Sequence, residues 1–122
     1  MLPAPVSIRP FIGAKDYSIS RKFYKDLGFS EVKLFEKMSY FHIGNFGFYL
    51  QDYFNEDWVG NTMVFYEVSD IEKVYQEIKN LDLLTNYPEA KIKPISYNDW
   101  GNEFFIHDPS NILWHIGEFN KE

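Results

Sequence analysis

The order of the predicted elements constrains the fold more than any other feature of the sequence, because one order occurs twice. In the first copy, a strand is followed by a helix that Asp16 caps and Gly28 ends, and three further strands complete the unit. In the second copy, the helix is capped by Ser69 or Asp70, and three strands again follow. The predicted strands lie at 7–12, 31–35, 39–43, 46–51, 62–68, 91–95, 103–107 and 112–116.

This doubled βαβββ pattern predicts an α+β protein in which two modules form a concave mixed sheet. The chain has 122 residues, which suits one domain spanning 1–122 and is too short for a second domain with its own core. We place the first module at about 5–54 and the second at about 60–119. Residues 52–61 are polar and aromatic without periodicity, so they are predicted as a loop.

Charge and residue usage exclude several classes of function. The chain has no cysteine, so it has no thiolate nucleophile and no Cys-bound zinc. Its formal net charge is −6 and it has no Lys/Arg-rich run, which argues against a nucleic-acid partner. It has no apolar run long enough to span a membrane, and its first five residues lack the features of a secretory signal. We therefore expect a cytoplasmic protein that does not contact membranes.

Strand residues alternate between the two sides of a sheet, and this alternation divides the first, fourth, fifth and eighth predicted strands into two faces. One face is uniformly apolar, includes Ile8, Pro10 and Ile12, and is expected to pack under the helices. The other face mixes aromatic rings with a guanidinium, an imidazole and a carboxylate. A ligand cleft and a dimer interface both explain such a face, and the two explanations are compatible.

Several motifs together resemble a known family, although none of them is specific alone. They are Gly13-Ala14-Lys15-Asp16, the stretch 22–29, the stretch 67–71 before the second helix, Asp99-Trp100-Gly101, and Asp108-Pro109-Ser110-Asn111 with Leu113-Trp114. In this order they resemble the vicinal oxygen chelate superfamily, which contains glyoxalase I, extradiol dioxygenases, fosfomycin-resistance enzymes and bleomycin-resistance proteins. The final hairpin, with the motif before it, is most similar to the bleomycin-resistance branch.

The resemblance also implies where a metal would bind. In metal-using members, four inward-facing positions on the central strands supply His and Glu ligands, and these positions fall here on Arg9, Tyr49, Met63 and His115. Only His115 is an ordinary ligand for a divalent metal, because Arg carries a positive charge and Met suits softer ions. A catalytic metal site needs about three protein ligands. We therefore expect no metal and no other cofactor.

The similarity to bleomycin-resistance proteins implies a homodimer that sequesters an aromatic or planar small molecule in a cleft between the two chains. Antibiotic resistance is the role of that branch, and the sequence leaves open the natural ligand and whether resistance is the role here. The acidic chain favours a cationic ligand, whereas Arg9 suggests an anionic or carbonyl-bearing one, unless Glu67 or another carboxylate neutralises its charge. Trp58 and Trp100 are expected to rim the cleft, or equally to hold loops on the domain. The candidate ligand-binding residues are Arg9, Phe11, Tyr49, Trp58, Met63, Phe65, Trp100 and His115.

Two other functions stay open at this point. The first is an enzyme of the same superfamily: a lyase or dioxygenase with an atypical site, or a metal-free isomerase. Glu67 and His115 would offer an acid–base pair to an enzyme if both face one cavity. The second is a structural or regulatory dimer whose cleft is filled by its own side chains. We assign no catalytic residue, because the sequence has neither a Gly-rich phosphate loop nor a Gly-x-Ser-x-Gly motif.

Overall fold

A computed structural model describes residues 1–121 of the chain. The predicted order of strand, helix and three strands is confirmed in both modules, with two short helices added and the sixth predicted strand divided into two. The elements are β1 Phe11–Gly13, α1 Tyr17–Leu27, β2 Ser30–Phe35, β3 Met38–Ile43, β4 Phe46–Gln51, α2 Glu56–Gly60, β5 Met63–Glu67, α3 Ile71–Asn80, α4 Leu83–Asn86, β6 Lys91–Ile92, β7 Ser96–Tyr97, β8 Gly101–His107 and β9 Leu113–Phe119.

The helix boundaries follow from capping residues. The Asp16 side chain accepts a hydrogen bond from the backbone N–H of Ile19, and Gly28 ends α1 with a left-handed φ of 119°. Asp70 caps α3 in the same way as Asp16 caps α1. The loop predicted at 52–61 is partly wrong, because Asn55 caps the short helix α2 there. A helix of five residues is too short to show helical periodicity in a sequence.

The strands form two sheets of the same topology. The first has the order β1–β4–β3–β2, and the second has the order β5–β9–β8–β6, with β7 also paired to β8. The first strand of each sheet, β1 or β5, runs parallel to its neighbour, β4 or β9. Phe11 lies opposite Tyr49 in the first sheet, and Phe65 lies opposite His115 in the second. These two pairs therefore occupy equivalent places in the two modules.

The core lies between the apolar faces of the two sheets. The ring of Phe48 on β4 is 5.5 Å from that of Trp114 on β9, and both pack against Tyr24 of α1. All three residues are buried. Burial of apolar area is the main stabilising contribution to such a core.

The first strand is shorter than predicted. Pro10 accepts a hydrogen bond from the backbone N–H of Tyr49 but has no N–H of its own, so β1 begins only at Phe11. The predicted burial of Ile8 and Pro10 is wrong, since Ile8 is 85% exposed and Pro10 is also exposed. Ile12 is buried in the core as predicted.

The strand predicted at 91–95 is interrupted, and proline is again the reason. Pro94 has no N–H to donate, so the segment pairs with β8 as two short strands, β6 and β7. Between them, the N–H of Lys93 donates to the carbonyl of Phe105 over 2.9 Å. Within residues 1–121, no helix is long and apolar enough to cross a membrane.

Candidate ligand-binding site

The outward face of the first sheet carries a row of aromatic rings, which we call the first face (Phe11, Tyr40, His42, Gly47 and Tyr49). Tyr49 stacks on Phe11 with ring centroids 5.0 Å apart, and Tyr40 stacks on His42 at 5.3 Å. Tyr40 and Tyr49 are opposite residues on β3 and β4, and their rings are 5.5 Å apart. Gly47 leaves room for this row, because a Cβ there would lie 2.6 Å from the Tyr40 ring.

Arg9 lies over the first face. Its guanidinium carbon is 4.0 Å from the Tyr40 ring centroid, a cation–π geometry, and its Nη1 donates a hydrogen bond of 3.0 Å to Tyr49 Oη. No carboxylate lies within ion-pair distance of Arg9 among residues 1–121. In the same part of the chain, Arg9 Nε is the one buried side-chain polar atom without a hydrogen-bond partner.

The outward face of the second sheet carries a longer row, which we call the second face (Met63, Phe65, Glu103, Phe105, His115 and Phe119, rimmed by Trp100). The rings follow one another at centroid distances of 4.9–6.4 Å in the order Phe105, His115, Phe65, Phe119, Trp100. Gly117 again leaves the space, because a Cβ there would lie 2.5 Å from the Phe65 ring.

The carboxylate nearest to His115 comes from Glu103. Its Oε2 is 3.7 Å from His115 Nδ1, and both side chains are largely sheltered. Glu67, the partner that the sequence suggests for His115, is exposed and lies opposite Gly117 on the neighbouring strand. The carboxylate within ion-pair distance of His115 is that of Glu103.

The first and second faces point away from each other within one chain. Tyr49 follows Phe48 along β4, and His115 follows Trp114 along β9, so each pair projects to opposite sides of its sheet. Because Phe48 and Trp114 meet in the core, Tyr49 and His115 must lie outside it. One chain thus brings the predicted site residues together in two groups and not in one cleft.

The two predicted rim tryptophans lie in different settings. Trp58 on α2 packs on β1, where a Cβ at Gly13 would lie 2.6 Å from its ring, and it also contacts Tyr53. This packing holds α2 against the sheet. Trp100 lies next to the second face, and its ring is 5.5 Å from that of Phe119.

Five side chains of the two faces are not among the residues predicted from the sequence: Tyr40, His42, Glu103, Phe105 and Phe119. The prediction used the alternation of side chains on the central strands only, whereas Tyr40 and His42 lie on β3, and Glu103 and Phe105 lie on β8. Extending the same alternation to β3 and β8 would have identified these positions. Phe119 lies beyond the strand end predicted at residue 116.

Comparison with solved structures identifies proteins that share this architecture. The chain is similar to the bleomycin-binding protein of bleomycin-producing Streptomyces verticillus, solved with copper(II)-bleomycin, with a TM-score of 0.80 and 18% identity over 98% of this chain and 100% of that one. The chain has the glyoxalase/bleomycin-resistance fold. The resemblance drawn from the sequence motifs is confirmed at this level, although no protein-family model and no curated protein sequence matches the chain.

Proteins of different activity share the glyoxalase/bleomycin-resistance fold. The chain is similar to a lactoylglutathione lyase from Agrobacterium tumefaciens, with a TM-score of 0.68 and 20% identity over 95% of this chain and 96% of that one. It is also similar to a fosfomycin resistance protein from Listeria monocytogenes, with a TM-score of 0.71 and 14% identity over 98% and 96%. The fold alone therefore does not decide between binding and catalysis.

The residues at the metal-ligand positions of the fold family do not fit a metal here. Arg9 and Tyr49 lie on the first face, and Met63 and His115 lie on the second. No group of three or more His, Asp or Glu side chains that could hold a metal occurs within residues 1–121. Arg9 brings a positive charge to the position and already donates to Tyr49, so this donor set opposes a divalent cation.

Proposed function

We propose that this protein is a metal-independent binder of the bleomycin-resistance type, which sequesters a planar or aromatic small molecule in a cleft between two chains. The proposal places the first face of one chain opposite the second face of its partner. The eight predicted site residues would then line or rim one cavity. The cytoplasmic location and the role in antibiotic resistance are parts of the same proposal.

The observation that carries the proposal is the exposure of the aromatic rows in a single chain. Phe11 is 48% exposed, Phe65 is 45% exposed and Met63 is 64% exposed, although each belongs to an ordered row on a sheet. Contiguous exposed apolar surface with a few polar groups is typical of binding sites. Stacked rings also supply flat contact area at little cost in side-chain entropy.

Charge supports the pairing of the two faces. The first face has Arg9 as its cation, and none of its strand residues is acidic. The second face has Glu103, with Glu67 beside it on β5. Opposite charges on two surfaces favour their association at long range, and the proposal leaves the Arg9 guanidinium open to the ligand that lies between the faces. Exposed apolar residues before β1, such as Val6 and Ile8, add surface that a second chain would cover.

Calorimetric titration with a panel of planar ligands tests the proposal. We expect saturable binding of at least one planar ligand, at one ligand per chain. Phe65→Ala should weaken this binding at least about tenfold, because it removes the central ring of the second face. Phe46→Ala is the matched control, since Phe46 is 83% exposed and belongs to neither face. Failure of every planar ligand to bind would contradict the proposal.

Metal content is tested separately. The purified protein is dialysed and analysed for zinc, nickel, iron and copper. We expect each metal well below one equivalent per chain, and unchanged ligand binding after treatment with a chelator. A stoichiometric metal that resists dialysis would contradict the metal-independent mechanism.

A lyase or isomerase is the second candidate, and the contact between Glu103 and His115 is the observation that favours it. A carboxylate beside an imidazole can orient the ring and support proton transfer. If the protein turns over a ligand that it binds, His115→Gln should lower kcat by at least about a hundredfold while the ligand still binds. Turnover that is unchanged in His115→Gln would exclude this pair as the catalytic group.

A further inference from the structure

Several hydrogen-bond donors of Arg9 and Tyr49 have no acceptor within residues 1–121. Arg9 Nη1 donates to Tyr49 Oη, so the phenol oxygen accepts and its own hydrogen is free to donate elsewhere. Within residues 1–121, no acceptor lies within hydrogen-bond distance of that hydroxyl, and the guanidinium has no carboxylate partner. The pair therefore presents several donors side by side with no acceptor of its own.

Within its own chain, the strand residues on the same face as the pair carry no negative charge. The chain carries 18 Asp and Glu residues against 12 Lys and Arg residues, so a surface without carboxylates is unusual for it. The strand residues on the side of Tyr40, His42 and Tyr49 are apolar, aromatic or neutral polar. Arg9 supplies the positive charge there, and its guanidinium carbon lies 4.0 Å from the centroid of the Tyr40 ring. This packing fixes the guanidinium before any ligand arrives.

We propose that Arg9 and Tyr49 form an oxyanion-binding subsite, and that the ligand is a planar aromatic molecule carrying a carboxylate on its ring. The carboxylate would accept from the guanidinium and from the Tyr49 hydroxyl, while the ligand ring rests beside Phe11, which stacks on Tyr49. Charge-assisted hydrogen bonds of this type are about twice as strong as neutral ones. The inference rests on the proposed binding function and adds the chemical class of the ligand.

Three ligands with the same ring system test whether the site prefers a ligand that carries a carboxylate. 2-Naphthoate, 2-naphthamide and 2-naphthylmethylammonium share one ring system and differ in charge. Calorimetry should give the carboxylate an affinity on the order of tenfold above that of the amide, with the ammonium compound weakest. Raising the salt concentration should lower the affinity for 2-naphthoate and leave the affinity for 2-naphthamide nearly unchanged.

Substitutions at Arg9 and Tyr49 test whether these two residues cause the preference for the carboxylate. Arg9→Met should lower the affinity for 2-naphthoate about tenfold and change that for 2-naphthamide by less than about twofold. Tyr49→Phe should lower the naphthoate affinity by a smaller factor, because the guanidinium stays. Lys33→Met is the control: it removes the same charge from the same sheet, but Lys33 pairs with the buried Ser39 and so lies on the opposite side from Tyr40. It should leave both affinities unchanged.

The outcomes separate this inference from the binding function on which it rests. Binding of the amide or the ammonium compound as tight as that of the carboxylate would overturn the oxyanion subsite and leave the binding function intact. An Arg9→Met variant with an unchanged preference for the carboxylate would also overturn it. Failure of all three compounds and of the wider planar panel would overturn both proposals. Circular dichroism of each variant confirms that the fold is retained.

Discussion

At the scale of single residues, a buried polar chain joins the first helix to the last hairpin. Tyr24 Oη donates to Asp108 Oδ2 over 2.5 Å, and Trp114 Nε1 donates to Tyr24 Oη over 3.0 Å. The other oxygen of Asp108 accepts from the backbone N–H groups of Ser110 and Ile112, which shapes the turn. The sequence predicted the turn and the helical face of Tyr24, but not their contact, because 84 residues separate the partners.

Asp108 makes the stability of the protein depend on pH. Burial raises the pKa of its carboxyl to about 6 from an ordinary value of 3.8, although the hydrogen bonds to Tyr24 and the backbone oppose the shift. The folded state therefore retains this proton above the pH at which the unfolded chain releases it, so stability from this group falls as pH rises from about 4 to about 6. Relative to Asp108→Asn, the free energy of unfolding of the wild type should fall by on the order of 2 kcal/mol across this window.

Urea unfolding of both proteins at several pH values measures this difference. Asn can still accept the two backbone hydrogen bonds, so the variant is expected to fold. Comparison with the variant also cancels the titration of the other carboxyls. A difference that stays constant between about pH 4 and 6.5, or that rises with pH, would show that Asp108 does not titrate in this way.

At the scale of elements, Glu31 fastens α1 to the first sheet. Its carboxylate on β2 accepts from Arg21 Nε at 2.6 Å and Nη2 at 2.9 Å, and from Ser39 Oγ at 2.6 Å. Lys25 Nζ lies 3.6 Å away. The sequence predicted both elements correctly from periodicity and caps, but the contact depends on which face of the strand turns toward the helix. This geometry is set by tertiary packing.

Glu31 should contribute stability that is lost in acid. The hydrogen bonds from Arg21 are the largest cause that lowers the pKa of Glu31, to about 2 from an ordinary value of 4.5. Its contribution is therefore fully present above about pH 4.5 and disappears as the pH falls toward 2. Glu31→Gln should lower the free energy of unfolding at pH 7 by on the order of 2 kcal/mol, and by much less at pH 2.5.

The control for this prediction is Glu36→Gln, which removes an exposed carboxylate from the turn between β2 and β3. This substitution should change the free energy of unfolding by less than about 0.5 kcal/mol at both pH values. A Glu31→Gln effect of equal size at pH 7 and pH 2.5 would mean that the carboxylate charge is not what stabilises the contact.

The second face offers another prediction at this scale, because Gly117 determines where the Phe65 ring can lie. A Cβ at Gly117 would lie 2.5 Å from that ring, so Gly117→Ala should displace it from the row. Phe65 is partly exposed and can turn outward, so the unfolding free energy should change by less than about 1 kcal/mol. Ligand affinity should nevertheless fall at least about fivefold.

Gly60→Ala is the control for Gly117→Ala, since a Cβ at Gly60 meets nothing within 4 Å. It should leave calorimetric ligand binding unchanged. If both substitutions left binding unchanged, the row of rings on the second face would not form part of the ligand site.

At the scale of the whole molecule, the sequence predicted the doubled element order and the fold, because capping residues, turns and alternation are local signals. It did not predict that the mixed faces of the two sheets point apart within one chain. This arrangement follows from contacts such as Phe48 with Trp114, between residues that are 66 positions apart in the sequence. The family resemblance implies a cleft between two chains, but the sequence does not reveal which of the site residues each chain contributes to that cleft.

The separation of the faces makes oligomeric state the decisive property of the whole molecule. If the first face of one chain covers the second face of another, the protein should sediment as a dimer at micromolar concentration. Phe65→Glu should shift it toward the monomer, because a charge would be buried among the rings. Phe46→Glu makes the same chemical change at an exposed position outside both faces and should leave the dimer intact. A wild-type monomer at these concentrations would contradict the two-chain cleft, and a ligand bound by that monomer would have to use one face alone.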